Sequence, residues 1–279
     1  MIWRIRDRDF DLACRGWIMG IVNVTPDSFS DGGSFLSPEA ACGHGLRLVG
    51  EGAEILDIGG ESTRPGAAPV PEDEELRRVL PVIRKLRKGS GVLLSIDTTK
   101  AAVAQAALDE GADIVNDVSG LHADPRMPGV VARSRAGLVI MHRQGTPRTM
   151  QIAPHYDDVV SQVGDFFRHT IRLAVDSGID PMSIALDPGI GFGKTPEHNR
   201  ELIRRLSNFS EFGRPLAVGV SRKSFLGEIS GSADIADRFW PGVALTSFCR
   251  EHGARILRVH DVKPHTEALR MTEAILGDA

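Results

Sequence analysis

Eight short apolar runs recur along the chain, and each ends in or near a polar or charged residue. Stretches with helical character lie between the runs, which cover residues 18–25, 55–60, 93–99, 113–119, 138–142, 184–189, 216–223 and 256–261. Near-continuous apolar runs are typical of parallel strands that are covered on both faces. Eight strand-then-helix units in one chain therefore predict an α/β protein whose fold is a (β/α)8 TIM barrel.

Helix boundaries support this alternation. Helices are predicted over residues 37–51, 73–88, 100–110, 159–177, 196–208 and 264–276. Ser37 followed by Pro38 is typical of a helix start, and Gly52, Gly111 and Gly253 are typical of helix ends that lead into a strand. The main alternative, an open doubly wound sheet, usually carries a glycine-rich phosphate loop after its first strand. Here the first strand leads instead into NVTPDSFSDGG.

Length and composition narrow the class of protein. A chain of 279 residues that is 42% hydrophobic suits one barrel domain over residues 1–279. Residues 1–16 are expected to form a short N-terminal extension, a hairpin at the barrel bottom. The net charge of −4 argues against a nucleic-acid partner. Sparse cysteines, no signal-peptide pattern and no apolar run near ~18 residues lead us to expect a cytoplasmic protein without a membrane partner.

The strand ends carry the candidate chemistry, because barrel enzymes build their active sites at the C-terminal ends of the strands. In a closed barrel the eighth strand lies beside the first, so Arg258 and His260 are expected near Asn23 and Thr63, as an anion site. The Asn23 amide oxygen is also suited to magnesium carried by a diphosphate. The strand-end residues are Asn23, Asp57, Asp97, Asn116, His142, Asp187, Lys223, Arg258 and His260.

A second group of strand-end residues suits a flat heterocycle with alternating donors and acceptors. It consists of Asp97, Asn116, Asp187 and Lys223. A carboxylate such as that of Asp187 can accept two parallel hydrogen bonds, and Lys223 can donate to a ring nitrogen or carbonyl. The alternative is internal ion pairing of Asp97 or Asp187 with Lys223 or Arg222, which would be costly to bury without a purpose.

Other chemistries find less support in the sequence. The histidines have no recognised zinc-ligand spacing. Ser221 lacks the GxSxG context of a nucleophile elbow, and GIGFGKT over residues 189–195 lacks the spacing of a Walker phosphate loop. A Schiff base on Lys223, which follows Arg222, is possible but has no further support.

The strand-end segments together resemble the dihydropteroate synthase family. They are IMGIVNVTPDSFSDGG, DIGGESTRPGA, SIDTTK, NDVSG, VIMHRQGTPRTMQ, LDPGIGFGKT, GVSRKSFLG and RVHDV, and the resemblance runs from about Ile18 to Met271. The family is a (β/α)8 barrel, usually a homodimer and a target of sulfonamides. It joins a dihydropterin methyl diphosphate to p-aminobenzoate, which yields dihydropteroate and diphosphate in folate synthesis.

The resemblance also implies roles for individual residues. Catalytic roles fall on Lys223, Asp97, Asp187, Arg258 and His260. Pterin contacts fall on Asp97, Asn116, Met141, Asp187, Phe192 and Lys223. Diphosphate contacts fall on Asn23 (with Mg²⁺), Thr63, Arg258 and His260. The p-aminobenzoate pocket would involve Phe29, Thr63, Arg64, Pro65, Ser221 and Lys223.

Two segments depart from the family pattern, and two alternative functions stay open. The family commonly reads MHM where this chain has MHRQG, with Arg143, and residues 237–249 lack the expected alanine-rich helix pattern. A folate-binding methyltransferase of the corrinoid type shares the barrel and a similar pterin pocket but needs no diphosphate site. A catalytically inactive barrel that serves as a partner subunit would be expected to have lost site residues, which this chain retains.

Overall fold

The computed structural model describes residues 1–25 and 37–277. An antiparallel hairpin, β1 (Ile2–Ile5) and β2 (Arg8–Asp11), precedes eight parallel strands that form a closed barrel. This confirms the predicted (β/α)8 barrel, in which the last strand pairs with the first of the eight. The barrel strands are β3 (Trp17–Asn23), β4 (Ile55–Gly59), β5 (Leu93–Asp97), β6 (Ile114–Asp117), β7 (Gly137–Met141), β8 (Ile184–Asp187), β9 (Leu216–Val218) and β10 (Ala254–Val259).

Helices cover the outside of the barrel. They are α1 (Pro38–Gly50), α2 (Glu72–Gly89), α3 (Ala101–Asp109), α4 (Met127–Ser134), α5 (Val159–Asp176), α6 (Pro196–Arg204), α7 (Ser224–Ser230), α8 (Phe239–Glu251) and α9 (Val262–Leu276). The six predicted helices are present, α4 and α7 were not predicted, and α8 was predicted only through its end at Gly253. The prediction for α6 ran too far, because residues 206–212 form a 3₁₀ helix instead. No helix in the described ranges is both long and apolar enough to cross a membrane.

The helix ends follow the local chemistry that the sequence indicates. The Ser37 hydroxyl accepts a hydrogen bond from the amide of Ala40 at 3.2 Å, and Pro38 occupies the first position of α1. Gly52, Gly111 and Gly253 have φ of 109°, 106° and 102°. Only glycine adopts that conformation without a Cβ penalty, so each of these helices can turn directly into the next strand.

The lower interior of the barrel is a closed apolar layer. Trp3, Ile5 and Leu12 from the N-terminal segment pack against the inward-facing residues near the beginning of the strands. The Trp3 indole nitrogen donates to the carbonyl of Ser183 at 2.8 Å, so its polar atom is satisfied. The strand residues in this layer are Met19, Ile55, Leu93, Ile114, Val139, Ala185, Ala217 and Ile256.

The upper interior is polar, and strand register brings the predicted side chains together there. Asn23 is paired with Gly59, Gly59 with Asp97, and Asp97 with Asn116 across neighbouring strands. Asp187 is paired with Met141 in the same way. Side chains alternate between the two faces of a strand, so the inward residues above the apolar layer meet at the mouth of the barrel.

Candidate active site

Arg258 connects two carboxylates at the centre of the barrel mouth. Its Nε donates to Oδ2 of Asp57 at 2.6 Å, and its Nη2 donates to Oδ2 of Asp97 at 2.8 Å. The Asn116 amide donates to the same Asp57 oxygen at 3.0 Å. Asp57 therefore fixes both Arg258 and Asn116. It was identified as a strand-end residue but was assigned no role, and a carboxylate inside an apolar strand was the signal that pointed to it.

These carboxylates lie in an environment that disfavours charge. Asp57 is fully buried, and its Oδ1 has no hydrogen-bond partner among the residues that the structure describes. Burial raises the pKa of Asp97 to about 7, although Arg258 opposes that shift. Burial also raises the pKa of Asp187. An unpartnered buried oxygen and acids with raised pKa values are typical of a site that completes its hydrogen bonds with a ligand.

The opposite wall of the site combines Asp187, Phe192 and Lys223. Asp187 Oδ1 accepts the backbone N–H of Gly189 at 2.7 Å, which leaves Oδ2 for another donor. The Lys223 ammonium lies 4.2 Å from the centre of the Phe192 ring. Burial, together with the nearby Arg258, lowers the pKa of Lys223 to about 8. One pocket is lined by Thr63, Asp97, Asn116, Val118, Met141, Asp187, Ile190, Phe192, Gly219, Lys223 and Arg258.

The loop after β9 has an unusual backbone that positions Lys223. Arg222 adopts a left-handed conformation with φ 58°, which is uncommon for a residue with a side chain. Its guanidinium makes two hydrogen bonds to Asp261, at 3.0 and 2.7 Å. Arg222 therefore pairs outside the pocket, and the alternative of an ion pair between Arg222 and Asp97 or Asp187 is wrong. Strained backbone of this kind is concentrated at functional sites.

Ser221 and His260 form a second polar pair at the rim. The Ser221 hydroxyl lies 3.1 Å from Nδ1 of His260 and 3.3 Å from its backbone nitrogen. Burial and the neighbouring Arg222 and Arg258 hold the pKa of His260 well below its usual value. His260 is therefore neutral at pH 7 and acts as a hydrogen-bonding group rather than as a cation.

The remaining predicted residues lie around this mouth or outside the described part of the chain. Asn23 is half-buried at the end of β3, and Thr63 is half-buried in the pocket wall. Arg64 and Pro65 are exposed on the loop after β4. Phe29 falls within residues 26–36, outside the described residues, so its predicted contact stays a prediction.

A second cavity adjoins the site on the side of β5 and β7. It has a volume of about 280 Å³ and shares Thr63, Asp97 and Val118 with the pocket. Arg143, the residue that departs from the family pattern, lines this cavity. It is half-buried and faces Asp117, Asp97 and Glu61, while its burial lowers its pKa. Arg143 therefore places a guanidinium beside the acidic side of the site.

Comparison with known proteins assigns the class. Residues 19–260 match the family of pterin binding enzymes, so the fold and site belong to a pterin-binding barrel. A curated relative, the dihydropteroate synthase of Synechocystis sp., is 45% identical over 266 residues, which is 95% of this chain and 92% of the relative. The chain belongs to the dihydropteroate synthase family and is a transferase.

Solved structures agree with this assignment. A Yersinia pestis dihydropteroate synthase in complex with a sulfonamide drug is 43% identical, with a TM-score of 0.94 over 99% of this chain and 100% of that one. A Xanthomonas albilineans dihydropteroate synthase with 4-aminobenzoic acid is 45% identical, with a TM-score of 0.91 over 99% and 98% of the two chains. The whole barrel, including the N-terminal hairpin, is therefore shared.

Proposed function

We propose that the barrel mouth binds a dihydropterin methyl diphosphate and joins its methylene carbon to the amine of p-aminobenzoate. The observation that carries this proposal is the convergence of Asp97, Asn116, Asp187, Lys223 and Arg258 in one pocket. A pterin presents donors and acceptors along two edges of a flat ring. Carboxylates, an amide and cations around a buried slot match that pattern, since polar groups that lose water must find partners.

The pterin is oriented from two walls. Asp187 Oδ2 is free of the bond that Oδ1 makes to Gly189, so the carboxylate can accept from the amino group and the ring N–H. The other edge of the ring is hydrogen-bonded by Asn116 and Asp97. Asn116 is held in place by Asp57, and Asp97 is held in place by Arg258. Lys223 donates to a ring nitrogen or carbonyl, and the apolar side chains of Met141 and Phe192 pack against the ring.

The diphosphate binds on the side of β3 and β10. Arg258 uses Nε and Nη2 for the two aspartates, which leaves its Nη1 donors for phosphate oxygens. Asn23, Thr63 and His260 surround the same region with neutral polar groups. A guanidinium is well suited to phosphate because its donors form a rigid planar fork.

The reaction proceeds by loss of the diphosphate before the new bond is fully formed. The methylene C–O bond breaks with its electron pair on the diphosphate, and the positive charge on carbon is delocalised into the electron-rich pterin. The aryl amine then donates its lone pair to that carbon and releases a proton to solvent. Arg258 stabilises the negative charge on the departing diphosphate. Much of the remaining rate enhancement comes from positioning the two substrates next to each other. Strong dependence of the chemical step on the substituents of a series of anilines would argue against this order.

Magnesium is proposed as a cofactor that arrives with the diphosphate. Residues 1–25 and 37–277 contain no group of three or more acidic, histidine or cysteine side chains able to hold a metal. Asn23 supplies one neutral oxygen, and Mg²⁺ is commonly held by few protein ligands together with substrate phosphates. When bound, it neutralises charge on the leaving group. Asn23→Ala should raise the magnesium concentration needed for half-maximal activity, and an unchanged requirement would contradict this role.

The proposed assembly is a homodimer in the cytoplasm. Free Cys14, Cys42 and Cys249 are compatible with a reducing compartment. Trp240 on α8 is 72% exposed, and Met271 and Ile275 on α9 are 64% and 78% exposed. Exposed apolar side chains of this size support an association surface. Sedimentation should give a dimer for the wild type and a monomer for Trp240→Glu; a monomeric wild type would contradict the proposal.

The activity itself is tested by incubating the protein with Mg²⁺, the dihydropterin methyl diphosphate and p-aminobenzoate, with dihydropteroate followed by mass-resolved chromatography. Product is expected from the wild type and not from Lys223→Ala. Absence of product with tight binding of methyltetrahydrofolate would favour the methyltransferase type of barrel. Absence of both product and pterin binding would favour the inactive scaffold.

A further inference from the structure

Lys194 is a buried lysine that none of the proposed substrate contacts uses. It lies in the loop between β8 and α6, and its side chain is 2% exposed. Its ammonium lies 3.0 Å from Nδ1 of His142, 3.0 Å from the carbonyl of Phe192 and 3.4 Å from the carbonyl of His142. An ammonium has three donors, so these three acceptors match its full hydrogen-bonding capacity.

The ammonium holds together two loops whose backbones are in direct contact. A Cβ built on Gly189 would lie 1.9 Å from the His142 carbonyl and 3.4 Å from the Lys194 ammonium. Gly189 has a φ of 69°, so both its conformation and the close approach require glycine. The Tyr156 hydroxyl donates to the carbonyl of Gly193 at 2.9 Å and supports the same loop from outside.

Both segments that Lys194 connects lead directly into the substrate pocket. His142 follows Met141, the last residue of β7, and Met141 lines the pocket beside Asp187. Phe192, whose carbonyl accepts from Lys194, presents its ring 4.2 Å from the Lys223 ammonium. A path of contacts therefore runs from Lys194 through the Phe192 backbone and ring to Lys223.

We infer that Lys194 is a positioning residue for the pterin half of the reaction, which fixes the Phe192 ring and through it Lys223. This inference rests on the proposed pterin pocket. A buried amine is costly unless its hydrogen bonds are satisfied, and the loop could be closed by apolar residues without that cost. The hydrogen bonds of Lys194 fix two backbone carbonyls and one imidazole relative to each other, which an apolar side chain could not do.

The test is Lys194→Met, which keeps the length and burial of the side chain but removes its donors. Affinity for the dihydropterin methyl diphosphate, measured by calorimetry without the aryl amine, should fall by at least about tenfold, since the variant loses all three hydrogen bonds that hold the loop. The KM for p-aminobenzoate should change less than the pterin affinity, because the path from Lys194 reaches Lys223 but none of the other residues expected around that substrate. Lys194→Gln, which retains two donors, should recover part of the affinity.

Two further variants separate positioning from general destabilisation. Lys100→Met is the same change at a less buried lysine, 23% exposed, which pairs with Glu61 and Glu75; it should leave pterin affinity unchanged. Phe192→Ala combined with Lys194→Met should lose less affinity than the two single changes added together, since both act through one ring. If Lys194→Met does not fold, Lys194→Gln takes its place in this cycle.

The outcomes are distinct. Failure of the wild type to bind the pterin would overturn the proposed function. Normal pterin affinity in Lys194→Met, or additive effects with Phe192→Ala, would overturn the positioning role while the proposed function stands. Equal losses for both substrates, with a matching loss in Lys100→Met, would also overturn it.

Discussion

The two ends of the barrel interior are built from the same strands but have opposite chemistry. At the lower end, Trp3, Ile5 and Leu12 close a layer of aliphatic side chains, and the Trp3 indole nitrogen has its hydrogen-bond partner. At the upper end, Asp57 keeps an oxygen without a partner among the described residues, and burial raises the pKa of Asp97 to about 7. The change takes place within two residues along β4, between Ile55 and Asp57.

The difference shows how one barrel separates stability from function. The lower layer stabilises the folded state by removing apolar surface from water, and this contribution does not depend on a ligand. The upper layer holds charges in a buried place where their hydrogen bonds are incomplete, an arrangement that costs free energy in the free protein. A substrate that supplies the missing partners recovers that cost on binding. Mutations in the lower layer should therefore reduce the unfolding free energy and leave activity near the wild-type value. Mutations in the upper layer should reduce substrate affinity and leave the unfolding free energy unchanged or higher.

The largest expected effect is on stability, from Trp3→Ala. Removing a fully buried aromatic side chain should cost about 3–5 kcal/mol of unfolding free energy, because the cavity cannot fully collapse. Urea unfolding measures the loss, and kcat/KM at a temperature where the variant is folded should stay near the wild-type value. Trp17→Ala, at a partly buried tryptophan 6.3 Å from Trp3, should cost less. An equal cost would place the stabilising contact outside the barrel interior.

The next effect is on function, from Asp187→Asn. The amide keeps the shape but cannot accept two parallel N–H donors, so pterin affinity should fall by about 10- to 100-fold, or about 1.5–3 kcal/mol. The unfolding free energy should be unchanged or higher, since the variant no longer buries a carboxylate whose pKa is raised. Calorimetry and urea unfolding of the same sample give both values. A variant that loses stability and keeps pterin affinity would reverse the contrast between the two layers.

A third prediction concerns pH. The folded pKa of Asp97, about 7, lies above its ordinary value of 3.8, so ionisation is harder in the folded state. Its favourable contribution is therefore fully present below about pH 4 and is lost as the pH rises through 7. Asp97→Asn does not titrate, so its stability relative to the wild type should improve between pH 4 and pH 8 by up to a few kcal/mol, at about 1.4 kcal/mol per unit.

The same comparison tests whether burial of the Asp97 carboxylate or its ion pair with Arg258 dominates its contribution to stability. Asn at position 97 can still accept from Arg258, so the variant preserves the geometry of the pair while it removes the charge. If the stability difference between Asp97→Asn and the wild type does not change with pH, the carboxylate is already ionised throughout this range. In that case the Arg258 ion pair outweighs burial. Urea unfolding at several pH values distinguishes the two cases.

The sequence predicted the barrel and the composition of its mouth because both depend on local patterns. The apolar runs mark strands, and the convergence of strand ends follows from the fold itself. The bond between Asp57 and Arg258 was not predicted, since it joins residues 201 positions apart and depends on the stagger of β4 against β10. The role of Lys194 was not predicted, because the segment GIGFGKT does not indicate which of its side chains is buried.

The extent of helix α8 was not predicted for a different physical reason, although Gly253 indicated where it ends. Its outer face carries Trp240 and Phe248, which are 72% and 37% exposed, so apolar residues lie on both sides of the helix and the usual amphipathic period is lost. The buried side is formed by Gly242, Thr246 and Cys249, residues that do not mark a helix strongly. Exposed apolar side chains on the outer face therefore conceal the pattern that would identify a solvent-facing helix.

The smallest expected effect comes from Ser221→Ala at the rim of the upper layer. The Ser221 hydroxyl is 3.1 Å from Nδ1 of His260, and a neutral hydrogen bond of this kind contributes about 1 kcal/mol. The KM for p-aminobenzoate should rise about fivefold, since 1.4 kcal/mol corresponds to tenfold, while pterin affinity is unchanged because Ser221 lies outside the pterin pocket. Ser224→Ala, an exposed serine three residues along, is the matched control. If Ser221→Ala lowers pterin affinity and Ser224→Ala does not, the rim and the buried pocket act as one unit. The pterin site would then include the loop after β9.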